Sequence, residues 1–288
     1  MHAARSSLSL ITTAALAGLA ALILVATLVA APMVHGTDDG PPSITGRDAL
    51  VIGVKDDQPG LSQRTGDDEI EGFDIDVATY IAGRLEIPRD KLTFRPLTSE
   101  ERESALEDGK VDMVVATYSI TPERKERVTF AGPYYVAHQD ILVRQDDQSI
   151  RDVRDLEGKR LCQVSGSVSW SRVTEQLRID ARPVPADSYS ECVRALADGR
   201  LDAVSTDDMI LAGYASAAGS ATTLVGSPFS DERYGIGLPK GDLEGCQAVN
   251  RILTEMYQNG AAETLLGRWF TTSKFDATTT VPQFEGCS

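Results

Sequence analysis

Short apolar runs alternate with helical patterns along most of the chain. Leu50–Val54 is an apolar run with β-branched residues, which predicts a buried strand, and another strand is expected near residues 92–94. The polar residues 55–71 are predicted to form a loop. A helix capped by Asp74 is expected next, because apolar residues recur at every fourth position. These residues are Phe73, Val77, Ile81 and Leu85.

A repeated pattern indicates two similar halves. Residues 105–114 (ALEDGKVDMV) resemble residues 195–204 (ALADGRLDAV), and the elements that precede each copy also match. In each copy a helix is predicted to end just before a glycine, Gly109 or Gly199, which leads through a polar turn into an apolar strand. Strands that alternate with helices predict βαβ units and parallel sheets. We therefore predict two α/β lobes, each with its own sheet, and a ligand in the cleft between them.

The N-terminal segment is separate from this pattern. Residues 8–31 are almost wholly apolar and uncharged, with Arg5 before them and acidic residues after them, which is typical of an export signal. The length of the run favours a retained anchor, whereas residues 34–36 (VHG) offer a cleavage site, so both outcomes stay open. The Asp-, Gly- and Pro-rich residues 37–47 are predicted to be a linker. We expect an extracytoplasmic protein, either secreted or anchored to the membrane.

Length and charge restrict the class of partner. The chain has 288 residues, which favours two domains, and its formal net charge is -15. Nucleic acid and anionic lipid both require a basic protein surface, so neither is expected to bind. A small anionic ligand remains compatible with the sequence, because a local pocket of Arg and Lys can oppose the overall charge.

Four cysteines in an exported chain indicate two disulfides. Three pairings exist, and we predict Cys162–Cys192 and Cys246–Cys287, because each pair falls within one predicted lobe. Four buried thiols are the alternative, which is disfavoured outside the cytosol. A metal site is not expected, since the chain has only three His and lacks a C-x-x-C motif. No other cofactor is expected.

Four loops at predicted strand ends carry candidate ligand-binding residues. In the first, Thr121 is predicted to be a helix N-cap and Pro122 the first helical residue, which places Arg124 in the first turn. A cation there opposes the helix dipole, and a guanidinium beside free backbone N–H groups suits a bound carboxylate. A surface ion pair with Glu123 or Glu126 is the alternative.

The second and third loops are polar as well. Thr98 and Glu101 have the spacing of a capping box, which does not explain Arg102 in the same first turn. The turn Ser165-Gly166-Ser167 offers backbone N–H groups and hydroxyls to a ligand, although such turns are commonly structural. It lacks the Lys of a P-loop, so a nucleotide is not indicated.

The fourth loop contains an acidic residue. Asp207 follows the predicted strand 202–206, and it is free to face an ammonium group if Asp208 caps the next helix. The four loops together provide two cationic helix starts in one lobe and an acid with a polar turn in the other. An α-amino acid has a carboxylate and an ammonium group, and the second cation suggests a second carboxylate in the ligand.

These motifs resemble the family 3 solute-binding proteins of polar amino-acid ABC importers. Residues 72–78 (GFDIDVA) look like that family's first helix start. Residues 112–124 (DMVVATYSITPER), followed by 130–135 (FAGPYY), look like its central signature. The resemblance covers about residues 50–270, with particular similarity to actinobacterial glutamate-binding proteins in residues 55–61 (KDDQPGL) and around Cys162 and Cys192.

The resemblance implies a type II periplasmic-binding-protein-like α/β fold. Two lobes, each a βα sandwich, would be joined by a two-strand hinge and preceded by an N-terminal apolar helix. The chain is expected to cross between the lobes near residues 135–139 and to return near residues 231–234. The predicted divisions are a signal peptide or anchor at 1–36, a linker at 37–47, lobe 1 at 48–136 and 233–288, and lobe 2 at 137–232.

The resemblance also implies roles for individual residues. Arg124, with Ser119, is expected to hold the α-carboxylate of the ligand, and Asp207 is expected to take its α-ammonium group. In members that bind acidic amino acids, a Ser-x-x-Arg turn binds the side-chain carboxylate, and Ser99 and Arg102 match that turn. The whole predicted ligand-binding set is Lys55, Ser99, Arg102, Ala116, Thr117, Ser119, Arg124, Ser165, Ser167 and Asp207.

One departure from the family concerns packing around the ligand. Glutamine-type members place aromatic rings around the aliphatic part of the ligand. The matching positions here are polar, near Gln58 and Ser99, and Tyr118 is the candidate substitute. The polar positions favour an anionic ligand.

The predicted function is extracytoplasmic binding of an acidic amino acid, glutamate or aspartate, by hinge closure. The protein is expected to act as a monomer and to deliver its ligand to an ABC permease. A membrane-anchored sensor that feeds a signalling partner is the alternative. An enzyme is not expected, because the sequence shows neither a nucleophile–base pair nor a metal cluster. The sequence does not decide between glutamate, aspartate and glutamine.

Overall fold

The computed structural model describes residues 43–66, 69–217, 219, 221–270 and 280–287. The apolar segment 8–31 lies outside these residues, so its predicted helix is not addressed. Within the described residues, the helices are all too short or too polar to cross a membrane.

The described residues form a mixed α/β structure. The strands are β1 (Leu50–Val54), β2 (Asp57–Gln58), β3 (Ser62–Arg64), β4 (Ile70–Glu71), β5 (Leu92–Pro96), β6 (Met113–Val114), β7 (Thr129–Arg144), β8 (Arg160–Val164), β9 (Arg182–Ala186), β10 (Val204–Asp207), β11 (Thr222–Leu224) and β12 (Ser230–Leu238). The α-helices are α1 (Phe73–Arg84), α2 (Glu101–Glu107), α3 (Pro122–Arg127), α4 (Ser169–Ser171), α5 (Tyr189–Ala197), α6 (Asp208–Ala217), α7 (Leu243–Gln258) and α8 (Ala261–Phe270).

The first predicted strand and helix are confirmed, with two corrections. Gly72, not Asp74, is the N-cap of α1, and Asp74 lies fully buried in its first turn. The loop predicted at residues 55–71 contains β2, β3 and β4, which pair as a small antiparallel sheet. Strands of two or three residues are too short to show an alternating pattern, so the sequence does not reveal them.

The sheets differ from the two parallel sheets that were predicted. The main sheet has the order β10-β7-β12-β6-β1-β5, and β11 also pairs with β7. β1 pairs in parallel with β5 and β6, whereas β7 pairs antiparallel with β10, β11 and β12. Strands β8 and β9 form a separate parallel pair. One 16-residue strand, β7, runs through the main sheet and joins what the sequence predicted as two sheets.

The two segments predicted as the hinge lie side by side. Tyr135 pairs with Tyr234 and Gln139 pairs with Ser230, so residues 135–139 run antiparallel to residues 230–234. The two segments are therefore paired strands, and their crossing between two lobes stays a prediction. The assignment of the remaining residues to two lobes stays a prediction.

The internal repeat is confirmed in structural detail. Gly109 follows α2 with φ 64°, and Gly199 follows α5 with φ 72°, in the left-handed region that favours glycine. Asp112 accepts a hydrogen bond from the backbone N–H of Val51 at 2.7 Å. Its counterpart in the second copy, Asp202, accepts one from the N–H of Arg160 at 2.8 Å. In each copy an aspartate ties the returning chain to the first strand of its unit.

Both predicted disulfides are confirmed. The Cα atoms of Cys162 and Cys192 are 5.8 Å apart, and those of Cys246 and Cys287 are 5.9 Å apart.

The end of the predicted linker is part of the fold. The side chain of Ile44 is fully buried, and its backbone N–H donates to Asp242 at 3.1 Å. The linker at residues 37–47 was therefore predicted too long at its C-terminal end. A single apolar residue among polar neighbours carries no periodic signal.

Candidate functional site

One small cavity gathers most of the predicted ligand-binding residues. Its volume is about 10 Å³, which is room for about one water molecule. The lining consists of Ser99, Arg102, Thr117, Ser119, Arg124, Ser167, Val168, Ser169, Tyr189, Thr206, Asp207 and Ile210. The predicted residues Ser99, Arg102, Thr117, Ser119, Arg124, Ser167 and Asp207 are all among them. Residues from widely separated loops therefore meet in one place.

Arg124 lies at the start of α3, as predicted. Thr121 is the N-cap, and its hydroxyl accepts a hydrogen bond from the backbone N–H of Arg124 at 3.2 Å. The guanidinium donates to the carbonyl of Ser119 at 2.7 Å and to that of Gly166 at 2.8 Å. Its Nε lies 3.1 Å from Oε1 of Glu103, a buried residue of α2. The partner of Arg124 is thus a buried carboxylate that the sequence did not suggest, not Glu123 or Glu126.

Arg102 is 2% exposed and is surrounded by carbonyl groups. It donates to Ser99 O at 3.0 Å, to Ala116 O at 3.1 Å and to Gly166 O at 3.2 Å. Among the described residues, no carboxylate lies within 4.0 Å of its guanidinium. Burial and the neighbouring Arg124 lower the pKa of Arg102 to about 10, so it is still a cation at neutral pH.

The capping box predicted before Arg102 is only half formed. The Glu101 carboxylate accepts from the backbone N–H of Thr98 at 2.8 Å and from its hydroxyl at 2.9 Å. Since the Thr98 hydroxyl donates to Glu101, it does not cap the helix, and Glu100 occupies the N-cap position without a side-chain bond.

Tyr118 lies beneath the two arginines. The guanidinium carbon of Arg102 is 4.5 Å from the ring centroid, and that of Arg124 is 5.0 Å from it. The side chain of Tyr118 is fully buried and is not in the cavity lining. Tyr118 therefore supports the guanidinium groups through its π face and does not take the predicted place against the ligand's aliphatic part.

Asp207 lines the same cavity as the two arginines and is the last residue of β10. It is 4% exposed, and its Oδ2 accepts a hydrogen bond from the hydroxyl of Tyr234 at 2.7 Å. Burial, followed by the negative charge of Glu232, raises the pKa of Asp207 to about 8. The adjacent Asp208 begins α6 and accepts from the backbone N–H groups of His138 and Met209. Asp208 is thus the first residue of α6 and not, as was predicted, its N-cap, whereas Asp207 lines the cavity.

Hydroxyl groups complete the side of the cavity around Asp207. The Ser167 hydroxyl is 2.7 Å from that of Tyr189, and the Ser169 hydroxyl donates to Thr206 at 3.1 Å. Five residues of the lining were not predicted from the sequence: Val168, Ser169, Tyr189, Thr206 and Ile210. Tyr189 could have been found from the predicted disulfide. Cys192 lies about one helical turn after Tyr189, and its bond to Cys162 holds this helix against β8, which leads into the turn that contains Ser167.

Three predicted residues lie outside the cavity lining. Lys55 is buried and donates to the carbonyl of Leu97 at 3.0 Å. Ala116 contributes to the site only through its backbone carbonyl, which accepts a hydrogen bond from Arg102. Ser165 is exposed, because the left-handed Gly166 (φ 73°) turns the chain and separates it from Ser167. That these three residues bind the ligand stays a prediction.

Two guanidinium groups, one carboxyl group and several hydroxyls line the cavity. These groups match the charges of a small zwitterion with an additional negative charge, and the cavity, at about 10 Å³, has to open to admit one. In the described part of the chain, no cluster of three or more His, Cys, Asp or Glu side chains could hold a metal ion.

Known proteins share this sequence and fold. The family model of the bacterial extracellular solute-binding proteins, family 3, matches residues 50–272. The glutamate-binding protein GluB of Corynebacterium glutamicum is 43% identical over 227 residues, which cover 75% of this chain and 76% of that protein. The ABC transporter glutamine-binding protein GlnH of Bacillus subtilis is 36% identical over 79% of this chain and 83% of its own.

The fold is also found in solved structures. The structure of an ancestral arginine-binding protein bound to arginine superimposes with a TM-score of 0.72 and 33% sequence identity. The match covers 78% of this chain and 99% of that one. The predicted type II periplasmic-binding-protein-like fold is confirmed. Because the family model and these relatives match most of its length, the chain belongs to the bacterial extracellular solute-binding proteins of family 3.

Proposed function

We propose that this protein binds an acidic amino acid, glutamate above all, outside the cytoplasm and delivers it to an ABC importer in the membrane. Family membership supports the role in solute binding. The sequence is more similar to the glutamate-binding relative, at 43% identity, than to the glutamine-binding one, at 36%.

The observation that carries the proposal is the pairing of charges in the cavity. Arg124 has a buried carboxylate partner, Glu103, whereas the hydrogen bonds of Arg102 all go to carbonyl groups. A buried cation without a counter-ion is unfavourable, and a carboxylate that approaches it is strongly attracted. A ligand with two carboxylates can place one at each arginine and its ammonium group at Asp207.

Hinge closure follows from the positions of these groups. The arginines belong to predicted lobe 1, whereas Asp207 and Gly166 belong to predicted lobe 2. A ligand that contacts both sides favours the conformation in which the two sides meet, so binding shifts the population toward the closed form. The paired strands β7 and β12 are the part of the fold where the bending would occur.

The test compares ligands of different charge. Isothermal titration calorimetry with glutamate, aspartate, glutamine and arginine is expected to give the lowest Kd for glutamate. Arg102→Met is expected to weaken glutamate binding by about a hundredfold, because a distal carboxylate loses its buried partner. Binding of glutamine, which has no distal charge, is expected to weaken by less than about tenfold.

A matched variant controls for the loss of positive charge. Arg200→Met removes an exposed arginine that pairs with Asp198 at the surface, and it is expected to leave both affinities unchanged. If Arg102→Met lost equal affinity for glutamate and for glutamine, the assignment of Arg102 to the distal carboxylate would be overturned. A lower Kd for arginine than for glutamate in the wild type would overturn the acidic ligand altogether.

The remaining parts of the proposal concern partners and location. We propose a monomeric, non-catalytic protein that presents its ligand to a permease. The predicted alternative of a membrane-anchored sensor has no support from the family or from the relatives' names. Whether the protein is secreted or anchored depends on the segment 1–36. Mass spectrometry of the mature protein tests this, because a cleaved signal shortens the chain at or near residue 36.

A further inference from the structure

The backbone of Thr117 is strained at the edge of the cavity. Its φ is 44°, in the left-handed region, which a β-branched residue rarely adopts. Thr117 belongs to the cavity lining, and its carbonyl and that of Ala116 both accept hydrogen bonds from Arg102, at 3.4 and 3.1 Å. The strained residue therefore sets the direction of two carbonyl groups next to the buried cation.

Asp74 holds this strained residue from behind. Its Oδ2 accepts a hydrogen bond from the backbone N–H of Thr117 at 3.0 Å, and its Oδ1 accepts one from the hydroxyl of Tyr134 at 2.7 Å. Asp74 is fully buried in α1 and is not part of the cavity lining. Its carboxylate thus reaches the binding loop without access to a ligand.

We propose that Asp74 is a positioning residue, which holds Thr117 in the left-handed conformation and so keeps the carbonyls of residues 116 and 117 directed at Arg102. The proposal rests on the proposed function, because it assigns Asp74 an effect on ligand affinity. Without Asp74 the buried N–H of Thr117 loses its acceptor, and the strained backbone relaxes toward a conformation that threonine prefers. Arg102 then loses the carbonyls that orient it.

Two substitutions separate the two hydrogen bonds of Asp74. Asp74→Ala removes both, whereas Tyr134→Phe removes only the bond to the tyrosine. In calorimetric titrations with glutamate, Asp74→Ala is expected to raise Kd by about tenfold or more, and Tyr134→Phe by less than about threefold. Asp74→Asn keeps a carbonyl oxygen as an acceptor for Thr117 and is expected to lie between the wild type and Asp74→Ala. If Asp74→Ala does not fold, Asp74→Leu replaces it, since it removes both acceptors but keeps a side chain that branches at Cγ.

Glycine at position 117 provides the decisive variant. Glycine adopts positive φ without strain, so Thr117→Gly is expected to make Asp74 less necessary. In that background, Asp74→Ala is expected to raise the Kd for glutamate by less than about threefold. A purely structural role of Asp74 in the core gives no such rescue. The proposal would be overturned if Asp74→Ala raised the Kd for glutamate equally with threonine and with glycine at position 117. It would also be overturned if Tyr134→Phe raised that Kd as much as Asp74→Ala.

A second readout does not require a ligand. The wild type, Asp74→Ala, Thr117→Gly and the double variant form a double-mutant cycle. The quantity compared is the free energy of unfolding, measured in urea. We expect Asp74→Ala to destabilise the threonine protein more than the glycine protein. If the wild type binds no glutamate but this coupling is present, the proposed function fails while the positioning role stands. Additive effects on unfolding would overturn the role of Asp74 whatever the ligand.

Discussion

At the scale of single residues, burial decides which charges the cavity carries. Arg102 keeps its proton at neutral pH although burial and Arg124 lower its pKa to about 10. Asp207 keeps its proton as well, because burial and the charge of Glu232 raise its pKa to about 8. Near neutral pH the arginines are thus charged and the facing acid is neutral, which favours the approach of an anion.

We expect glutamate binding to release a proton from Asp207 below about pH 8. An ammonium group beside the carboxylate favours its ionised form, so the complex has a lower Asp207 pKa than the free protein. Affinity should therefore rise with pH up to about 8 and then level off. Calorimetry at about pH 6 in two buffers of different ionisation enthalpy measures the protons released.

Asp207→Asn is the control for this pH dependence. It should bind more weakly, and the rise of affinity with pH should disappear. Because the pKa of Asp207 is raised in the folded protein, its contribution to stability is complete below about pH 4 and is lost as the pH rises through about 8. Binding that is independent of pH in the wild type would contradict the protonated state of Asp207.

At the scale of elements, the C-terminal segment 280–287 braces the binding helix and the hinge strand. Its Glu285 contacts Lys125 of α3 and lies 2.9 Å from Arg233 of β12, and its backbone N–H donates to Gly132 O at 3.1 Å. Lys125 follows Arg124, and Arg233 precedes the tyrosine that bonds Asp207. The segment is held in place by the disulfide to α7.

Removing that disulfide should destabilise the protein more than removing the ion pairs. The double variant Cys246→Ser/Cys287→Ser opens a loop with a sequence separation of 41, so the free energy of unfolding is expected to fall by about 3–4 kcal/mol. Glu285→Gln keeps the disulfide and should lower it by less than about 1 kcal/mol. Urea unfolding followed by circular dichroism measures both. If both variants lowered the free energy of unfolding equally, the Glu285 carboxylate and not the disulfide would hold the segment.

At the scale of the whole molecule, the two predicted lobes touch on both sides of the cavity. On one side, Gly166 lies so close to the backbone of Glu100 that a Cβ atom would overlap it. On the other side, Gly213 of α6 lies against the carbonyl of Pro59 in the same way, and the hydroxyl of Tyr214 donates to Asp57 O at 2.7 Å. Close approach of the lobes therefore depends on glycine at two positions.

Gly213→Ala is expected to weaken closure without touching the cavity. The added methyl group would overlap the Pro59 carbonyl, so the Kd for glutamate should rise by about tenfold or more. Small-angle X-ray scattering should show less compaction when glutamate is added. Gly83→Ala is the matched control, since Gly83 is also helical and has open space around its Cβ position. A Gly213→Ala protein that compacts and binds like the wild type would show that closure does not require this contact.

The sequence by itself determined those features that depend on neighbouring residues. The strand Leu50–Val54, the N-cap Thr121 and the glycines after α2 and α5 follow from local periodicity and backbone preference. The two disulfides followed from the predicted lobes, because each pair of cysteines falls within one of them. That Arg102 and Arg124 lie together was also predictable, since they follow β5 and β6, which both run parallel to β1 and bring their loops to one edge. The resemblance to the family predicted Asp207 in the same site.

Tertiary structure alone decided how these groups are supported. Glu103 as partner of Arg124, Tyr118 beneath both guanidinium groups, and the strain at Thr117 all depend on contacts between distant segments. The continuous strand β7 and the exposed position of Ser165 were also decided by the tertiary structure. Local patterns place a residue on an element and give its charge. Its neighbours in space, and with them its burial, pKa and conformational strain, are set only when the packed chain brings remote residues together.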